Sequence, residues 1–127
     1  MEQYLIDTNV VSDYLTANLT SESLDFMDEI IDQTPKLSII SKIELLCWQT
    51  NEETKNKIND FINDSNVLNI TDEVIKFCVE LRQKRKIKTP DAIIAATALA
   101  NNYILLTKNI KDFQNIKGLK IINPHSL

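Results

Sequence analysis

The chain has 127 residues, 43% hydrophobic and 25% charged, with a formal net charge of −4. That is enough apolar side chain for one core in a single domain over residues 1–127, and it excludes collagen-like, mucin-like and strongly disordered proteins. One Gly and three Pro are too few for the many tight turns of an all-β sandwich or barrel, so helices joined by short connections are expected.

Tyr4-Leu5-Ile6 is an apolar run ending at Asp7 and reads as a buried strand. Val10 to Leu15 reads as a short helix. In Ser21 to Ile31 the apolar positions Leu24, Met27, Ile30 and Ile31 mark one helical face, and Pro35 prevents continuation. Leu37-Ser38-Ile39 reads as a second strand. Ser41 then opens a helix to about Trp48, with Ser41 and Glu44 spaced as a capping box. Glu52 to Asn63 gives a further helix with Ile58, Phe61 and Ile62 inward, and Val67-Leu68-Asn69 a third strand. A helix from Thr71 or Asp72 to about Lys84 follows. Thr89 as N-cap and Pro90 at the first helical position open an Ala-rich helix that ends near Asn101-Asn102. Ile104-Leu105-Leu106 and Leu119-Lys120-Ile121-Ile122 read as the last two strands. Short apolar strands alternating with helices predict a three-layer α/β/α fold around a mostly parallel central sheet of about five strands.

Cys47 and Cys78 lie far apart in apolar stretches and are expected as reduced, buried thiols. With no CxxC spacing and a single His125, zinc and His-based acid–base chemistry are not expected. Met1-Glu2-Gln3 shows no basic leader, and no apolar run reaches membrane-spanning length, so a cytoplasmic protein is expected. Charge is unevenly spread. Residues 1–35 hold eight acids and no Lys or Arg, whereas residues 73–127 hold ten bases against four acids. The densest basic run, Arg82-Gln83-Lys84-Arg85-Lys86-Ile87-Lys88, suits either a solvated helix end or phosphate contacts by Arg82, Lys84, Arg85, Lys86 and Lys88.

In open α/β sheets functional groups collect beyond the carboxyl ends of strands, which singles out Asp7 and Thr107. Glu44 lies in Ile43-Glu44-Leu45, where a core-facing side chain is expected. Asp91 opens the most apolar helix, and Asn109 and Asp112 follow the fourth strand. Each acid has an ordinary alternative: Asp7 as a cap, Glu44 in the capping box, Asp91 in a favoured first turn, Asp112 at a loop end. Together they point elsewhere, because helix starts in such a sheet converge on one rim and no base adjoins Asp7, Glu44 or Asp91 in sequence. Two unit charges ~4 Å apart repel by roughly 4 kcal/mol at an effective dielectric near 20. A divalent cation removes that conflict, and an all-oxygen set suits Mg²⁺ or Mn²⁺.

The ordered set Ile-Asp-Thr-Asn, a lone helical Glu about forty residues in, Pro-Asp-Ala-Ile-Ile-Ala-Ala, Leu-Leu-Thr-Lys-Asn-Ile-Lys-Asp-Phe and Gly-Leu-Lys-Ile-Ile-Asn-Pro resembles the PIN domains, most closely the VapC-type toxins of prokaryotic toxin–antitoxin modules. The resemblance runs over essentially the whole chain. It implies a Mg²⁺- or Mn²⁺-dependent endoribonuclease in which Asp7 and Asp91 hold the metal and Glu44 completes the site and handles water. It further implies support from Thr8, Asn9 and Thr107, an RNA substrate, a homodimer and a cognate antitoxin protein. Asn109 stands where many relatives have Asp, so Asn109 is expected to give a neutral oxygen and Asp112 to act from behind it. Two rivals remain open. One is a catalytically silent PIN-like RNA- or protein-binding module. The other is a receiver-like phospho-acceptor domain, which lacks here its usual acidic pair after the first strand and its Lys after the last.

Overall fold

The computed structural model describes residues 2–127, and Met1 lies outside the described residues. Five short strands are formed: β1 (Tyr4–Ile6), β2 (Lys36–Ser38), β3 (Asn66–Leu68), β4 (Ile104–Leu106) and β5 (Ile121–Ile122). Between them run α1 (Thr8–Leu15), α2 (Ser21–Ile31), α3 (Ile39–Cys47), α4 (Glu52–Asn63), α5 (Asp72–Lys84), α6 (Thr89–Asn101) and the short α7 (Ile110–Phe113), and a 3₁₀ turn covers Pro124–Ser126.

Every strand pairing is parallel. β4 lies between β1 and β5, β2 pairs with β3, and β1 packs beside β2 without a ladder between them. The expected sheet of about five strands is thus present as a ladder of three and a ladder of two. Alternation along the strands divides the core. Leu5 and Leu105 point to one face, against Ile94, Ala95 and Ala98 of α6. Ile6 and Leu106 point to the other, against Val10 and Val11 of α1, Met27 of α2 and Ile58 and Phe61 of α4. Helices therefore cover both faces, giving the three layers that the strand–helix alternation predicts. The Ala side chains let α6 approach the sheet closely, and α5 packs along its outer side.

Several boundaries differ from the sequence expectation, each for a local reason. Ile39 starts α3 rather than ending β2, because the Ser38 side chain accepts the Ser41 backbone N–H at 3.1 Å and so is the N-cap. Ser41 is therefore inside the helix, and no Ser41–Glu44 capping box forms. Lys88, not Thr89, occupies the N-cap position of α6, without a side-chain cap, and Pro90 still falls in the first turn. Asn102 closes α6 in the left-handed region (φ 56°, ψ 42°), a conformation that Asn tolerates. β3 comprises Asn66–Leu68, and β5 is shortened to Ile121–Ile122. Cys47 is exposed rather than buried, because it sits on the outer side of α3, and Cys78 is half-buried. No helix among the described residues is long and apolar enough to cross a membrane.

Replacing the buried Ser38 by Ala should remove the α3 cap and lower stability by about 1 kcal/mol in urea melts. Glu44→Gln should shift the same melts far less, because Glu44 caps nothing.

Candidate active site

The site forms where β1 and β4 end side by side. Their register pairs Ile6 with Leu106, and the Asp7 N–H extends the ladder by donating to the Leu106 carbonyl at 2.9 Å. Asp7 is buried and caps α1, its Oδ1 accepting the Thr8 N–H at 2.8 Å. Its Oδ2 accepts the hydroxyl of the fully buried Thr107, also at 2.8 Å. The Thr107 oxygen in turn accepts the Asn109 backbone N–H at 2.9 Å, which turns the chain after β4 back over the rim. The capping expectation for Asp7 is therefore met, and the same carboxylate also lines a cleft.

That cleft has a volume of about 450 Å³ and is lined by Asp7, Thr8, Asn9 and Ser12 from α1 and its start, Glu44, Leu45 and Trp48 from α3, Asp91 from α6, and Asn109. Glu44 is exposed on the sixth position of α3, not core-facing as its apolar neighbours imply. Its alignment comes instead from a hydroxyl chain. A hydroxyl carries one proton. Thr8 gives its proton to Glu44 Oε1 at 2.6 Å, so Ser41, 2.9 Å from the Thr8 oxygen, is the donor to Thr8. Ser41 is fully buried, and it sits one turn before Glu44 on the same helix face. The sequence reading misses this role because it assigns Ser41 to the cap.

Burial raises the Asp7 carboxyl above its ordinary value. The hydrogen bonds from Thr107 and Thr8 oppose that shift, and the charges of Asp91 and Glu44 add to it. Asp91 is raised for the same leading reason, burial, and then by the charges of Asp112 and Glu44, with only Lys88 acting in the other direction. The site thus holds carboxylates in a setting that disfavours their ionised form.

The chain matches the sequence model of the PIN domain over residues 4–119. The chain belongs to the PIN domain family. It is 32% identical over 124 residues to the ribonuclease VapC1 of Methanocaldococcus jannaschii, across 92% of this chain and 85% of that protein. Among solved structures, a toxin–antitoxin complex from Klebsiella pneumoniae aligns with a TM-score of 0.74 and 28% identity, covering 96% of this chain and 98% of that one. A further neighbour is VapBC2 from Rickettsia felis bound to a promoter DNA fragment. It has a TM-score of 0.78 at 22% identity, covers 94% of this chain and 97% of that one, and shows likeness of fold.

Around the cleft of this PIN domain the remaining sequence-singled residues divide. The Asn109 side-chain amide donates to Asp112 Oδ2 at 2.7 Å, so Asp112 stands behind Asn109. It lies outside the cleft, in an adjoining groove that shares Asp91 with the cleft and also receives Arg82, Lys86 and Lys88. Arg82 is hydrogen-bonded there to the Thr89 hydroxyl. Arg85 and Lys84 do not join that groove. The Arg85 guanidinium donates to the carbonyl oxygens of Gln114 at 2.9 Å and Asp112 at 3.2 Å, and Lys84 lies beside Phe77, Leu99 and Ile116 on another face. The basic run is therefore split where α5 ends at Lys84 and the chain turns extended at Arg85, not presented as one surface. A cluster absent from the sequence reading braces the rim: Asp13 of α1 accepts from Lys108 and is paired with His125, both at 2.9 Å. Its members are 95 and 112 residues from Asp13, with no local signal to join them.

Asp91 has a raised value in the folded state, so the folded protein holds that proton more tightly than the unfolded chain. Its favourable contribution is complete below the ordinary carboxylate range and is lost as pH rises through the raised value. In chelator, Asp91→Asn should melt higher than the parent at about pH 7, and the gap should close towards about pH 4. Thermal melts across that range check it. In parallel, Arg85→Ser should lower the melting temperature by loosening the Asp112–Gln114 segment, whereas Lys86→Ser and Lys88→Ser should leave it nearly unchanged.

Proposed function

We propose that this PIN domain is a metal-dependent endoribonuclease and the toxin of a prokaryotic toxin–antitoxin pair. The observation that carries the reading is the convergence of Asp7, Glu44 and Asp91, from three separate helix starts and faces, on one open cleft. The sequence similarity to a ribonuclease VapC1 over nearly the whole chain supports the same activity. A silent binding module has no use for this costly arrangement of acids.

The donor set fits a hard divalent ion such as Mg²⁺ or Mn²⁺. It is all oxygen, and burial and mutual repulsion leave its carboxylates short of positive charge. Among the described residues no three His, Cys, Asp or Glu side chains are grouped as a ready-made cage. Mg²⁺ commonly keeps waters and takes only one or two carboxylates plus substrate phosphate, so Asp7 and Asp91 would be the residues to hold it. When bound, the ion supplies the charge that neutralises the carboxylates, acidifies water and stabilises the phosphoryl oxygens.

The chain's own residues supply the rest. Asp7 and Asp91 are the metal-holding carboxylates. Thr107 and the Thr8 N–H fix both oxygens of Asp7, as outer partners of a ligand commonly do. Glu44, with Oε1 occupied by Thr8, keeps its second oxygen to accept a proton from the attacking water. That water attacks phosphorus, the bond from phosphorus to O3′ breaks, and the leaving O3′ takes a proton from a solvent water, giving 3′-hydroxyl and 5′-phosphate ends. Asn9 adds a polar side chain at the cleft wall. Asn109, its amide nitrogen turned to Asp112, offers a neutral oxygen. Arg82, Lys86 and Lys88 are placed to meet backbone phosphates entering past Asp91.

Such an enzyme acts in the cytoplasm, and it needs an antitoxin protein to silence it. Exposed apolar side chains, Ile43 and Leu46 on α3 and Ile75 and Val79 on α5, support a homodimer.

Purified protein should cleave total RNA only when Mg²⁺ or Mn²⁺ is present. Asp7→Asn, Asp91→Asn and Glu44→Gln should each lose more than the roughly 10–100-fold that changing an outer partner costs, and Thr107→Val should fall within that range. Mapping of the cleaved ends provides the check. Cleavage unaffected by chelator, or retained in Asp7→Asn, would overturn the reading. Lys86→Ser with Lys88→Ser should also flatten the salt dependence of RNA binding, while Lys84→Ser should not.

A further inference from the structure

Trp48 stands in the cleft wall without a part in the chemistry described above. It closes α3 four residues after Glu44, so the two side chains emerge from one face of that helix, about 5–6 Å apart at their Cβ atoms. One part of the indole packs against the core that holds Leu45 and Ile58, and another part lines the cleft with Asp7, Asp91 and Asn109. Its backbone leaves the helix there (φ −68°, ψ 119°), held by the Trp48 N–H to the Leu45 carbonyl at 3.3 Å. The ring is therefore anchored on one side and half-open on the other.

The cleft is otherwise polar or acidic where it faces solvent. A large aromatic surface held next to carboxylates has no use in binding an ion or a phosphate. It does match the flat face of a nucleobase, because aromatic side chains bind unstacked bases through their π-faces. The cations stand elsewhere, in the adjoining groove that shares Asp91 with the cleft and holds Lys86 and Lys88 but not Trp48. A strand reaching both grooves thus meets cations beyond Asp91 and an aromatic plate within the cleft.

We propose that Trp48 is a base-stacking platform that holds one unpaired nucleotide beside the scissile phosphate, and so selects where this enzyme cuts. This rests on the nuclease reading above. A base can lie on Trp48 only when it is free of its own helix, so paired RNA is excluded from the productive pose. Purines, with the larger π-face, are preferred on the plate.

Trp48 is the one tryptophan of the chain, so its fluorescence reports this contact alone. The test uses metal-free protein and an unstructured RNA of about 12 nucleotides, within the ~4–16 typical of single-strand sites. The free strand should quench the emission, and the same strand in a full duplex should not. Replacing bases one at a time by abasic sites should abolish the quench at one position, next to the bond that is cut when Mn²⁺ is added. Trp48→Ala should weaken binding by roughly 5- to 150-fold and raise KM more than it lowers kcat, and Trp48→Phe should restore most of the loss. Cleavage and binding that proceed without quenching, or equal quenching by duplex, would overturn the role of Trp48 and leave the nuclease reading standing. Absence of both binding and cleavage in the parent protein would overturn the nuclease reading itself, and the platform with it.

Discussion

The pairing of β1 with β4 is the constraint on which the rest of the site depends. Because Ile6 is held opposite Leu106, the next residues, Asp7 and Thr107, emerge together at the strand ends although 100 residues separate them. A slip of one residue would turn one strand inside out against the other, sending Ile6 or Leu106 to the wrong core. The alternating burial of these strands thus fixes the position of the first carboxylate. From Asp7 the order passes outward by contact. Thr8 follows it into α1 and reaches Glu44, Thr107 reaches the Asn109 backbone, and Asn109 reaches Asp112.

The site is held by groups that stabilise its geometry while its charges oppose one another. Hydroxyls and backbone N–H groups orient the acids but carry no net positive charge, and Lys88, the base that acts on Asp91, has the weakest of the named effects on it. Neighbouring carboxylates in a partly dry cleft are a standing electrostatic cost, accepted by a fold whose two cores are closely filled elsewhere. The same unbalanced charge makes the cleft selective. It leaves the space between the acids to cations, while the basic side chains of this chain stand at the margin.

Much of this was legible in the sequence because strand tips and apolar helices leave local marks. Ile6-Asp7, Leu106-Thr107 and the Pro90-Asp91 helix start each signal a position on the carboxyl-end rim. Glu44 was legible by type and position but not by orientation. Its apolar neighbours Ile43 and Leu45 suggest a buried turn, and in the structure only Leu45 is buried, while Ile43 and Glu44 are exposed. The cap moved three residues, from Ser41 to Ser38, because two serines at helix-cap spacing compete and only the tertiary position of Ser41 beneath Thr8 decides between them. The basic run reads as continuous in one dimension, yet helix rotation and the breaks at Arg85 and Ile87 send its members to different faces. Asp13, Lys108 and His125 could not be joined from sequence at all, since nothing local links them.

The segment from Thr107 to Gln114 is tied down at almost every step: Thr107 to Asp7, Lys108 to Asp13, Asn109 to Asp112, and the carbonyls of Asp112 and Gln114 to Arg85. Loops over an active site are ordinarily where a fold gains or loses residues as it diversifies. Here an added residue would break several of these ties at once and displace the cleft wall with them. Length variation among descendants of this chain is therefore directed to segments without such ties near the cleft, such as residues 49–50 between Trp48 and the α4 cap Asn51, where the approach to the acids could be reshaped while the acids themselves stay in place.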